Sequence, residues 1–154
     1  MEAVSIEFIK EEEIDQLIPL CALHSKYERV PFDPTGKEEN LKRFLFNENP
    51  ALYCLVAKKE GEMIGYASYM IQFSTWDASQ YIYMDCLFLL ESHRGFGIGQ
   101  QLMERIEVEA KKISIKEIQW QTPEFNTRAI KFYNRIGGHS KSKERYFFEV
   151  AKTT

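Results

Sequence analysis

The chain is short of several things, and each shortage removes a class of function. Cysteine occurs only three times in 154 residues, at Cys21, Cys54 and Cys86, widely spaced among apolar neighbours. An odd count without a Cys-x-x-Cys pair argues against a disulfide framework or a zinc site. Buried thiols in a reducing cytoplasm are expected instead. Histidine also occurs three times. His24, His93 and His139 have no metal-ligand spacing, so no metal is expected, and all three read as surface residues. No apolar run approaches the ~20 residues of a membrane span. The opening MEAVSIEFIKEEE lacks a basic stretch followed by an apolar one, so no secretory signal is expected. Positive charge is not in excess: 20 Lys and Arg stand against 23 Asp and Glu. A net charge of −3 gives no general attraction to nucleic acid.

Two nucleotide motifs are missing as well. The dinucleotide fingerprint Gly-x-Gly-x-x-Gly fails because, counted from Gly95, the last position is Gln100. No Gly-Lys-Ser/Thr exists for a P-loop.

What is present is a balanced composition for a folded domain, 44% hydrophobic and 28% charged. The length suits one compact unit, expected over 1–154. VSIEFI, Val4 to Ile9, alternates as a strand does. The helix-like segment after it carries Ile14, Leu17, Ile18, Cys21 and Ala22 on one face, with Pro19 as a possible kink. Lys37 to Phe46 reads as a second helix. Ala51 to Lys59 and Met63 to Phe73 read as strands joined by a short hairpin. Tyr81 to Leu90 is the most apolar strand, as a central one is. A helix follows the glycines, with Leu102, Ile106, Ala110 and Ile113 at helical spacing. Glu117 to Thr122 reads as a strand, Asn126 to Ile136 as a helix stopped by Gly137–Gly138, and RYFFEV, Arg145 to Val150, as a last strand.

The informative stretch is SHRGFGIGQQL, Ser92 to Leu102, set between the apolar strand and a helix. A bend entering a helix leaves several N–H groups unpaired at the positive end of the helix dipole. Glycines let the backbone approach a large anion there. Arg94, Gly95, Phe96, Gly97, Ile98, Gly99 and Gln100 therefore form a candidate phosphate or pyrophosphate cradle.

RGFGIG after YIYMDCLFLL, followed by NTRAIKFYNRIGG, resembles the GNAT superfamily of acetyl-CoA-dependent N-acetyltransferases, closest in look to its spermidine/spermine and histone/polyamine branch. The resemblance spans nearly the whole chain. It implies an α/β (α+β) fold: a mixed, mostly antiparallel sheet of six to seven strands with about four helices on its faces. It implies acetyl-CoA as co-substrate, with the pyrophosphate at Gly95 to Gln100, the pantetheine arm along the backbone of Leu87, Phe88 and Leu89, and Asn126, Thr127, Arg128 and Ala129 lining the CoA path. Tyr133 falls where the family places the proton donor to the leaving thiolate. Asp85, a carboxylate inside an apolar strand, is the candidate base or amine-binding group, since such a group is costly unless paired or used. Cys86 is its neighbour, and alternation points its side chain to the opposite face, away from a nucleophilic role. Tyr27 and Glu28 match polyamine contacts of the similar enzymes. Trp76 and Asp77, on a loop, and Glu144, beside Arg145, complete the candidate acceptor contacts. If Arg145 occupies the place of an acidic contact, an acceptor with a carboxylate is favoured over a polyamine. The expected partners are a small amine and a second copy of the chain, with no nucleic acid and no membrane. Acetylation of protein lysines or N-termini, amino acids or antibiotics, or acyl-CoA binding without catalysis, are the alternatives.

Overall fold

A computed structural model describes residues 3–151. It divides into two compact units, Met1–Pro123 and Glu124–Thr154. In the first, the order is β1 (Ser5–Phe8), a single 3-10 turn, α1 (Ile14–Tyr27), α2 (Lys37–Leu45), β2 (Tyr53–Lys59), β3 (Glu62–Ser74), β4 (Ser79–Leu89), a second 3-10 turn, α3 (Ile98–Lys112) and β5 (Ile118–Gln119). The second unit contributes α4 (Thr127–Arg135).

The five strands form one sheet in the order β1-β2-β3-β4-β5. The first four pair antiparallel and β5 joins β4 in parallel. The mixed α/β class expected from the sequence is present, with five strands among the described residues rather than six or seven. The missing strand is RYFFEV: residues 141–151 form no helix or strand, and Tyr146, Phe147, Phe148 and Val150 are exposed. An alternating apolar segment becomes a strand only where a neighbour accepts its backbone hydrogen bonds, and no strand pairs with it among the described residues.

Turn chemistry sets the register. Glu60 and Gly61 both have positive φ, 53° and 77°, the two-residue turn that matches strand twist, and Lys59 lies opposite Glu62. Gly65 allows close packing on β4, because a Cβ there would sit 2.4 Å from Leu89 Cδ2 and 2.7 Å from the Phe88 carbonyl oxygen.

The sheet buries both faces. Ile14, Leu17 and Leu20 of α1 and Leu45 of α2 pack on Cys54, Val56, Tyr66 and Phe88. Strand alternation turns Leu55, Ala57 and Ala67 to the other face, and α3, with Leu102 and Ile106 fully buried, lies against the sheet.

Pro19 sits inside α1. Its missing N–H is tolerated because packing of the apolar stripe, rather than propensity, carries helix stability in a folded protein. No helix among the described residues is long and apolar enough to cross a membrane.

Candidate active site

The centre of β4 carries an irregularity that the sequence hides. Ser68 of β3 lies opposite Cys86, but the next residue, Tyr69, lies opposite Met84. Asp85 is therefore an extra residue, a β-bulge. Bulge and pleat together move Ile82 and Met84 to the face of Tyr69 and Ile71, and Cys86 and Phe88 to the face of Ser68 and Tyr66. Two expectations are corrected. Asp85 is exposed rather than enclosed by its apolar strand. Cys86 is not held away from it, because the thiol donates to Asp85 Oδ2 at 3.6 Å. Burial first, then the Asp85 carboxylate, push the Cys86 thiol up to about 12. A thiol held neutral at pH 7 is a poor nucleophile.

The three cysteines, remote in sequence, converge. Cys54, Ser68 and Cys86 lie side by side across β2, β3 and β4, and Cys21 of α1 packs against the core cluster that holds Cys54 and Tyr66. All three are free thiols, and burial raises the titration of each. No cluster of His, Cys, Asp and Glu among the described residues is arranged to hold a metal.

Beyond the bulge, β4 has an open edge. β5 pairs only with Ile82 and Tyr83, so no strand lies beside Met84 to Leu89 on that side among the described residues. Leu87, Phe88 and Leu89, carried over as the pantetheine-binding backbone, lie on this stretch.

The glycine bend follows at the end of β4. Gly95 and Gly97 have φ of 88° and 81°, values that cost a side-chain-bearing residue strain. A Cβ on either would meet no atom within 4 Å, so backbone conformation, not crowding, demands glycine. Gly97 is the N-cap of α3, with no side-chain cap and no acidic residue in the first turn. The first helical bond runs from Gln101 N–H to the Gly97 carbonyl at 3.1 Å, which leaves the N–H groups of Ile98, Gly99 and Gln100 without an intrahelical acceptor. Gly95, Phe96, Gly97 and Gln100 are exposed. Open amides at a helix start, with positive dipole and no acidic residue in the first turn, suit an anion.

Arg94 stands in front of that bend. Its Nε donates to the Leu89 carbonyl at 3.0 Å. Its guanidinium carbon lies 4.8 Å from the centre of the Tyr27 ring and 5.4 Å from that of Phe88. No carboxylate pairs with it among the described residues, so its charge is stacked but not cancelled.

The end of α1 lies on the same structure. His24 corrects the expectation of a surface residue: its side chain is only 12% exposed and stacks on Phe88 at 5.1 Å. Its Nε2 is 2.7 Å from Glu28 Oε2, and its Nδ1 is 2.9 Å from the Tyr66 hydroxyl. A carboxylate only accepts, so His24 donates from Nε2 to Glu28, and its other ring nitrogen shares a hydrogen bond with the Tyr66 hydroxyl. Periodicity carried the signal for this: His24 is one turn on from buried Leu20.

Trp76 and Asp77 lie at the far end of the β3–β4 hairpin. Trp76 is 95% exposed, in the turn between β3 and β4 where the Asp77 N–H donates to Ser74 Oγ at 3.2 Å. Asp85 is eight residues further along β4, about 25 Å in extended chain. In the second unit, Asn126 caps α4, its Oδ1 accepting the Ala129 N–H at 3.3 Å. Thr127, Arg128 and Ala129 form the first turn of α4. Tyr133 is half-buried, its ring 5.3 Å from that of Phe132. Glu144 is exposed in the irregular segment that follows.

Comparison with known proteins identifies the family and the fold. A model of the Acetyltransferase (GNAT) family matches residues 17–138. The chain is 27% identical over 145 residues to thialysine N-epsilon-acetyltransferase of Sus scrofa, covering 89% of this chain and 85% of that protein. An integron cassette protein from the mobile metagenome of V. cholerae superposes with a TM-score of 0.75 at 28% identity, covering 97% of this chain and 94% of the other. Aminoglycoside N-acetyltransferase AAC(6')-Iy, solved in complex with CoA, shares the fold at a TM-score of 0.81 and 16% identity, covering 97% and 96%.

Proposed function

The chain belongs to the GNAT acetyltransferase family and is an acyltransferase that uses acetyl-CoA; from that premise we propose that its acceptor is the primary amine of a small polyamine-like or diamine molecule. The observation that carries the donor side is the bend after β4, where exposed amides open α3 a few residues after the uncancelled Arg94. These residues suit the pyrophosphate of CoA, and the open β4 edge suits an amide-rich arm lying beside it. Acetyl-CoA, when bound, supplies an activated acyl group.

The rest falls to the chain. An alkylammonium is neutral in only about one molecule in a thousand near pH 7. Asp85, at the bulge, takes the proton that the amine must lose before it attacks. A backbone N–H of the bulged strand polarises the acetyl carbonyl, and Tyr133 returns a proton to the departing thiolate. Glu28 and Asp85 are the carboxylates that meet the acceptor's positive charge. No acyl-enzyme is needed, and the high-pKa Cys86 thiol agrees with that. The family match, residues 17–138, begins in the first compact unit and continues into the second, which supports one catalytic domain over 1–154. Free, unpaired cysteines support a reducing cytoplasmic setting. Exposed Tyr146, Phe147, Phe148 and Val150 support a homodimer, because contiguous apolar surface of that kind marks an interaction site.

A second reading has its own support. The Sus scrofa relative is named for thialysine, and Arg145 is a cation suited to a carboxylate, so an amino-acid side-chain amine ranks next.

The test is thiol release from acetyl-CoA across polyamines, lysine-like amino acids, aminoglycosides and lysine peptides. Release should need both donor and amine and be fastest with a polyamine or diamine. Fastest release with lysine-like amino acids selects the second reading. No release with any amine removes catalysis. Asp85→Asn should slow the amine reaction by about 10²–10⁴-fold, with a smaller deficit at high pH. Full turnover by Tyr133→Phe would end its role as acid.

A further inference from the structure

We propose that Tyr27 serves the donor, not the acceptor: with Phe88 it forms an aromatic seat that aims the Arg94 guanidinium at the pyrophosphate of CoA. This rests on the donor site proposed above. A free arginine side chain has many rotamers and loses entropy when it grips an anion. Arg94 has lost most of that freedom already. Nε is fixed to the Leu89 carbonyl, and two rings hold the guanidinium plane. Its terminal NH2 groups remain for an incoming anion, the bidentate arrangement that phosphate favours.

The seat is itself built in. Tyr27 is the last residue of α1. The turn beyond it is closed by backbone bonds, Glu28 N–H to the His24 carbonyl at 3.0 Å and Val30 N–H to the Ser25 carbonyl at 2.9 Å. His24 ties that turn to the sheet through Tyr66 and lies against Phe88, the other ring of the seat. His24 and Glu28 thus hold in place the turn that presents Tyr27. Tyr27 is 38% exposed, so a change there should alter the seat without emptying the core.

Calorimetric titration with CoA, without acceptor, separates this from catalysis. Tyr27→Leu removes the ring face and should weaken CoA binding about five- to tenfold, while Tyr27→Phe keeps the face and should bind within about twofold of the parent. On an Arg94→Ala background, Tyr27→Leu should add nothing. With acetyl-pantetheine, which lacks the pyrophosphate, Tyr27→Leu should leave the donor KM unchanged. Should Tyr27→Leu fail to fold, Arg94→Lys tests the same point: it keeps the charge, loses the flat stack, and should weaken CoA but not acetyl-pantetheine. If the parent protein binds no CoA, the donor site itself is wrong and this inference falls with it. If the parent binds CoA and Tyr27→Leu binds it equally well, or instead raises only the acceptor KM, the seat alone is overturned.

Discussion

Helix α1 has a cluster of charged and polar side chains at each end, each holding a glutamate, and the two are put to different uses. At its start, the Lys58 ammonium pairs with Glu7 Oε1 at 2.7 Å and also with Glu13, and the Lys10 N–H donates to Glu13 at 2.9 Å. Lys58, Glu7 and Glu13 each have an opposite partner inside the protein. At its end, Glu28, His24 and Tyr66 are hydrogen-bonded to one another, but Arg94 is given only ring faces and a carbonyl. The first cluster sets one ammonium against two carboxylates and acts as a clamp between β1, β2 and the start of α1. The second keeps a positive charge in hand beside open amides. An uncancelled charge is what separates the proposed binding end from the merely stable one.

Breaking the clamp should give the largest loss of stability. Lys58→Met leaves Glu13, 10% exposed in its side chain, without its cation, which should cost about 3 kcal/mol or more. Urea unfolding should show this, with CoA affinity at saturating folded fraction unchanged. A matching fall in CoA affinity would mean that the two ends are not independent.

The clamp should also confer acid sensitivity. Burial works against the charge on Glu13, but hydrogen bonds from Lys58 and Lys10 and the Lys58 charge outweigh it and hold the carboxyl below its usual range. Burial likewise opposes the Lys58 charge, and Glu13 and Glu7 outweigh it, so Lys58 titrates above its usual range. A lowered Glu13 contributes stability in full above about 4.5, lost as pH falls through its folded value. A raised Lys58 contributes fully below about 10.5, lost as pH rises through its folded value. Urea midpoints from pH 7 to pH 3 should therefore fall more steeply in the parent than in Lys58→Met. Parallel curves would remove the clamp as a source of acid sensitivity.

The binding end is open to a subtler disturbance through the sheet. Gly65→Ala places a Cβ against Leu89 and the Phe88 carbonyl, and relief by shifting β4 should cost about 1–3 kcal/mol. Because the Leu89 carbonyl anchors Arg94, CoA affinity should drop as well, unlike in Lys58→Met. Gly97→Ala acts in the bend proposed to hold the pyrophosphate and costs about 1–2 kcal/mol of left-handed strain. Titration with CoA should show a loss larger than the change in melting temperature implies, because the bend itself is distorted.

How much of this was legible in the sequence differs between the two ends for physical reasons. Periods of two and 3.6 marked the long elements, since each buries one face or both. Strand β1, the two-residue turn at Glu60–Gly61 and the glycine bend carry local signals in their own residues. The Asp85 bulge carries none, because YIYMDCLFLL is apolar on both faces and no alternation is there to be broken. Alternation consequently misplaced Cys86 relative to Asp85. His24 was misread because Ser25 and Lys26 beside it are polar, while its burial depends on Tyr66 and Phe88, remote in sequence. Arg94 was legible as an anion contact from its place before the glycines, but its aromatic seat joins residues 27, 88 and 94 and exists only in three dimensions. RYFFEV showed the opposite failure: a strong local pattern with no strand paired to it.

The smallest expected effect sharpens the comparison by lying outside both ends. Trp76 is an exposed aromatic in the β3–β4 turn, 95% open, where Tyr27 is an exposed aromatic beside a cation. Composition alone would treat them alike. No cation sits over the Trp76 ring among the described residues, and it covers no core, so Trp76→Ser should change unfolding free energy by less than about 0.5 kcal/mol. It should leave CoA affinity unchanged, whereas Tyr27→Leu should not. Its remaining candidate role is contact with the acceptor, and that is read separately: a rise in amine KM alone would assign the turn to the acceptor, long enough to reach from Asp85 to the hairpin tip. A loss of CoA affinity on removing Trp76 would break the contrast, because exposure of any large ring, rather than its seat under Arg94, would then suffice to explain Tyr27.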